Sequence, residues 1–171
     1  DLYHPNLSIE RIKNIPDAKL WGDVTKKQPG VYQGKSLTCS LISALLTILN
    51  FENIKNVKFI ENILHPQNVI FIEISGSNLF WKNYHFEINQ SGKYGVRLYL
   101  NGTKRLVEVD DKVIFRSQKD SAEQIPLGAR TNDAKDFWPS LIEKAICKVY
   151  SSQDMVLHSV PSIECYRLTG W

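Results

Sequence analysis

The chain has 171 residues, 43% hydrophobic and 23% charged, enough to bury a core without disulfide staples. Its 21 basic and 18 acidic residues leave a net charge of +3 spread without a stripe, which argues against a nucleic-acid partner. Three cysteines, Cys39, Cys147 and Cys165, are too few and too scattered for a disulfide framework or a zinc cluster, and no apolar run reaches the ~18 to 20 residues of a membrane span.

In chain order, residues 1–37 read as irregular, because Pro5, Pro16, Pro29, Gly22, Gly30 and Gly34 interrupt any pattern. The first 27 of them form an N-terminal anchor segment in this reading. Cys39 to Asn50 then predicts a helix, with Thr38 as N-cap and Asn50 as the stop. Leu41, Ile42, Leu45, Leu46, Ile48 and Leu49 cover most of its circumference, so the helix is expected to be central and buried. A second helix is predicted over 56–65, ending at His65-Pro66. Val69–Ile74 reads as a buried strand, followed by strands at Tyr84–Asn89, Gly95–Leu100 and Arg105–Val109. Gly92 marks one turn, and Asn101-Gly102 between two β-rich runs is a strong hairpin signal. Residues 116–135 read as loop. Phe137 to Ser151 predicts a further helix, with Pro139 in its first turn and Phe137, Trp138, Leu141, Ile142, Ala145, Ile146 and Val149 at helical spacing. The expected class is α+β: a central buried helix and a second helix packed with a small antiparallel sheet.

The stretch Gln33-Gly34-Lys35-Ser36-Leu37-Thr38-Cys39 carries the chemistry. On its own, a cysteine beside a helix start is more often a small core residue than a nucleophile. The positive end of a helix, however, stabilises thiolate over thiol, and the thiolate is the attacking species. A glutamine six residues earlier can present its side-chain amide and, with the backbone N–H of Cys39, form an oxyanion hole. Gly34 permits a tight turn and a close approach. The spacing and the apolar helix together favour the nucleophile.

Gln33-Gly34 followed by Cys39 resembles the active-site motif of papain-like and calpain-like cysteine proteases. Three further segments are similar to calpains: Val107-Glu108-Val109-Asp110-Asp111 after a hairpin, Asp136-Phe137-Trp138 with Leu141-Ile142-Glu143-Lys144-Ala145, and Leu168-Thr169-Gly170-Trp171. They run in family order through residues 28–171, which the resemblance implies are the first, nucleophile-bearing subdomain of a calpain protease core. Ser40 after the nucleophile and the Leu-Thr-Gly-Trp ending lean towards the atypical, PalB-like branch. That branch implies a cytoplasmic endopeptidase, recruited to endosomal scaffold proteins, that processes a transcription factor in fungal ambient-pH signalling. Thr38 departs from the typical Asp before the nucleophile.

By the same resemblance, the typical core binds calcium partly through an Asp nine residues before the nucleophile. Gly30 stands there, and only Asp136 matches the partner carboxylate, so weak or absent calcium binding is expected. Asp136 also suits the start of a helix simply as a negative charge. No cofactor is expected. The base and its orienting group are missing. His4, His65 and His85 read as surface or packing residues. His158 lies 119 residues after Cys39 with no Asn after it. The resemblance puts the His and Asn in a second subdomain. The chain starts at Asp1 without Met and ends at Trp171, and both ends read as cuts from a longer protein; the fragment alone is expected to be inactive. Cys147 and Cys165 read as inert thiols. Two competing readings are a protease-like binding or scaffold domain without catalysis, and a deubiquitinase, against which the Val-Asp-Asp and Phe-Trp segments speak.

Overall fold

The computed structural model describes residues 7–21, 30–66, 88–117, 124–133, 135–151 and 158–171. The expected strand at Val69–Ile74, residues 84–87 of the expected strand after it, and His4 and His85 lie outside the described residues.

Among the described residues, the fold comprises two three-stranded antiparallel sheets and three α-helices. Strand β1 (Leu7–Arg11) pairs with β5 (Lys112–Ser117), which pairs with β6 (Gln124–Pro126). The other sheet runs β2 (Leu64–Pro66), β3 (Lys93–Leu100), β4 (Thr103–Asp110). Asn101 and Gly102, both at positive φ (51° and 78°), close the β3–β4 hairpin as its sequence predicts. Alternation decides the faces of β3: Tyr94, Val96 and Leu98 are fully buried, each Leu, Ile or Val of this kind contributing about 1.5–3 kcal/mol.

Helix α1 (Cys39–Lys55) buries Leu41, Ala44, Leu45 and Ile48 and leaves Leu46, Phe51 and Ile54 exposed. Helix α2 (Trp138–Tyr150), with proline in its first turn, packs on β3 and β4. Helix α3 (Pro161–Thr169) packs on α1 and β3. The core is continuous from Leu41 and Leu45 through Leu98 to Leu141, Ile142 and Ile146.

Five expectations are corrected. Helix α1 does not stop at Asn50; it runs to Lys55 and ends on Asn56 in the left-handed region (φ 51°). Residues 56–65 are not a helix. The buried Glu52 carboxylate takes the N–H groups of Phe59 and Ile60, leaving a single 3-10 turn at Ile60–Asn62 that leads into β2. Residues 7–11, read as irregular, are strand β1, because β5 supplies its hydrogen bonds from about a hundred residues away. The loop expected over 116–135 contains the end of β5 and all of β6. Asn89, expected at a strand end, instead accepts the Gly92 N–H in a turn.

Candidate active site

Cys39 is the first residue of α1, and its side chain belongs to an exposed residue. The first N–H groups of a helix lack intrahelical partners and carry the positive end of its dipole, and Cys39 sits at that end. Leu41 and Leu45 anchor the helix from behind and fix that end against the core. Ser40, the next residue, is buried.

The loop leading to Cys39 is held along its length. Tyr32 and Arg130 exchange backbone hydrogen bonds (2.7 and 3.1 Å), and the Lys35 N–H reaches the Leu127 carbonyl at 2.7 Å. Gly34 lies so close to this neighbouring segment that a Cβ on it would stand 2.0 Å from the Leu127 oxygen and 2.3 Å from that of Gly128. Gln33 is exposed, and one of its amide N–H groups donates to the Ser36 carbonyl at 2.8 Å. A primary amide has a second N–H for an oxyanion.

Thr38 occupies the N-cap position, but its hydroxyl does not cap the helix. It is fully buried and donates to Glu143 Oε1 on α2. Ser36 Oγ donates to the same oxygen at 2.6 Å, and the Ala129 N–H donates to Oε2 at 2.8 Å. The next residue of α2, Lys144, binds the Asp110 carboxylate together with the carbonyls of Asp110 and Lys112. Asp110 loses solvation, yet the Lys144 hydrogen bond and nearby cations hold its carboxyl below the usual range. Asp111 is fully buried in an ion pair with Arg11 (2.6 Å) and also takes the Lys13 N–H. The Val-Asp-Asp and Leu-Ile-Glu-Lys-Ala segments are thus one assembly, joined through Lys144 and Asp110.

The remaining candidates are spread out. Asp136 is buried, and its N–H donates to the Asp133 carbonyl just ahead of α2. Trp138 stacks on Trp21 with ring centres 5.1 Å apart. Among the described residues no three His, Cys, Asp or Glu side chains gather into a metal-donor set, and Gly30 has no side-chain donor. Cys147 is half-buried, and burial, with Glu143 and Glu164 nearby, pushes its thiol up to about 11. Burial and Glu164 also raise the Cys165 thiol. His158 is exposed, three residues before α3, and His65 lies in β2. The roles of Ser36, Thr38 and Glu143 were missed in the sequence. The signal available was a carboxylate sitting between apolar positions of α2 within a family-like segment.

An α+β scaffold that sets an exposed thiol on a helix tip, after a pinned Gln-Gly loop, is the architecture of a cysteine-protease core. The sequence profile of the calpain family of cysteine proteases matches residues 7–170. The chain belongs to that family. It is 34% identical to Calpain-7 of Mus musculus over 133 residues, covering 78% of this chain and 14% of that protein. It is 27% identical to the calpain-like protease palB/RIM13 of Debaryomyces hansenii over 155 residues, covering 91% of this chain and 16% of that protein. An 84-residue stretch is 33% identical to the calpain-like protease palB/cpr-8 of Neurospora crassa, covering 49% of this chain and 8% of that protein. The chain therefore spans about a seventh of the length of the curated relatives with the widest matches.

Proposed function

We propose that this chain is the nucleophile-bearing half of an intracellular calpain-like cysteine endopeptidase. The observation that carries the reading is the exposed Cys39 on the tip of α1, following a pinned Gln33-Gly34 loop, in a calpain-family fold. The Cys39 thiolate attacks a peptide carbonyl carbon, forming a C–S bond. The negative charge moves to the carbonyl oxygen, where the Cys39 N–H and the Gln33 amide stabilise it. Collapse breaks the C–N bond, and a histidine returns to the leaving amine the proton it took from the thiol. Water then attacks the thioester, releasing the acid and regenerating Cys39. The histidine and the asparagine that orients it belong to a second protease subdomain outside these 171 residues, so this piece does not cleave peptides by itself.

In the whole protein, Cys39→Ala is expected to abolish hydrolysis of a quenched-fluorescent peptide pool without changing the melting temperature. Hydrolysis surviving that change removes Cys39 as nucleophile. By family resemblance, the protein acts in the cytoplasm, is recruited by endosomal scaffold proteins, and processes a transcription factor in ambient-pH signalling. An uncut transcription factor in cells carrying Cys39→Ala would support this; normal processing would refute it. Calcium is not needed at Asp136 in this reading: calorimetric titration is expected to show no tight binding, and tight binding abolished by Asp136→Ala would overturn that.

A second reading, a scaffold without catalysis, draws on the engagement of the Gln33 amide by its own loop. It requires the whole protein to bind its partner with no hydrolysis and no preferential alkylation of Cys39.

A further inference from the structure

Glu143 is 6% exposed, and its carboxylate lies where a charge is costly unless its oxygens are saturated with donors. Three donors meet that need: the hydroxyls of Ser36 and Thr38 on Oε1, and the Ala129 N–H on Oε2. Ser36 and Thr38 are themselves 6% and 0% exposed. The surrounding backbone is cut to fit. A Cβ at position 128 would stand 2.0 Å from Oε2, and a Cβ at 34 would strike the carbonyls of the same 127–128 segment. One glycine and two hydroxyls are therefore matched to one carboxylate, and a second glycine is matched to the segment beside it. Lys144, the next residue, ties α2 to the β4–β5 corner, so the element that carries Glu143 is itself fixed.

We propose that Glu143 is a positioning residue for catalysis. It bolts the 34–38 loop to the 127–130 segment and so sets the angle between the Gln33 amide and the tip of α1 that bears Cys39. The proposal rests on the nucleophile and oxyanion reading above. Glu143 acts through the geometry of its acceptor atoms. A glutamine can keep that geometry: its oxygen serves the Ala129 N–H, and its NH2 serves hydroxyl oxygens free to rotate.

The test is peptide hydrolysis by the whole protein. Glu143→Ala is expected to lower kcat about 10- to 100-fold, the loss that follows a misplacement of about 1 Å, while KM moves less than about threefold. Glu143→Gln is expected to restore kcat to within about fivefold of wild type. The Ser36→Ala/Thr38→Val pair is expected to lower kcat in the same range. Adding Glu143→Ala to that pair is expected to lower it little further, because both changes remove the same bonds. A folded Glu143→Ala protein with wild-type kcat overturns the proposal. Equal losses in Glu143→Gln and Glu143→Ala, or effects that multiply independently, do so too. If Glu143→Ala does not fold, the Ser36→Ala/Thr38→Val pair decides: wild-type kcat in that pair refutes the clamp, and lowered kcat with unchanged KM supports it. Failure of the underlying reading looks different. Hydrolysis unaffected by Cys39→Ser, or absent from the wild type, removes the protease reading and the clamp with it. Cys39→Ser inactive beside a fully active Glu143→Ala removes the clamp alone.

Discussion

Three thiols in one chain sit in three environments, and their chemistry should separate accordingly. Cys39 is exposed at the positive end of α1. Burial lifts the Cys165 thiol and pushes that of Cys147 to about 11. Only the thiolate alkylates, so iodoacetamide near neutral pH is expected to modify Cys39 first. Cys147 should lag until the pH approaches its raised value; peptide mass spectrometry over time measures the order, and equal rates would contradict it. Gly34→Ala is expected to slow Cys39 alkylation and cost about 1–3 kcal/mol in urea unfolding, since the new Cβ meets two backbone carbonyls that cannot rotate away. An alanine variant with wild-type labelling and stability would show that the loop has slack. Gln33 and Cys39 could be proposed as a pair from the sequence because they lie six residues apart, within the reach of a motif. Glu143 could not, because its hydrogen bonds to Thr38 and Ser36 span 105 and 107 positions.

Elements were legible where local chemistry decides. The β3–β4 hairpin follows from Asn101-Gly102, and α2 from its 3.6-residue period and its proline start. The segment after α1 misleads because Ile60, Ile63 and Leu64 are spaced as on a helix, while a distant sheet claims Leu64. Helix α3 went unread because only Glu164 and Leu168 are buried, too short a stripe for a period to show. Its docking carries a pH signature. Glu164 accepts from Tyr150 Oη at 2.7 Å and from Arg167 at 3.0 Å, and burial raises its carboxyl above the usual 4.5. From 4.5 up to the raised value, the unfolded chain has released this proton and the folded chain has not. Stability from this group therefore falls as pH rises through that window. Glu164→Gln is expected to remove that slope from urea midpoints measured across the window; an unchanged slope would show that the carboxyl titrates normally.

At the scale of the whole molecule, the two sheets, which among the described residues share no hydrogen-bonded strand pair, meet where β4 runs into β5. Asp110 and Asp111 form that corner, tied respectively to α2 through Lys144 and to the end of β1 through Arg11. Asp111→Ala is expected to cost about 1–3 kcal/mol, because Arg11 keeps partial access to water while the Lys13 N–H loses its acceptor. The loss should appear as one shifted urea transition. A separate early transition would show that the β1–β5–β6 sheet unfolds on its own. The α+β class was readable from the order of patterns; the division into two sheets was not, since β1 finds its partner only in three dimensions.

The stacked indoles of Trp21 and Trp138 also give the protein an optical gauge. Two such chromophores 5.1 Å apart couple electronically and should produce a paired positive and negative band in circular dichroism. That signal would follow the seating of Trp21 against the start of α2, in solution and without a label.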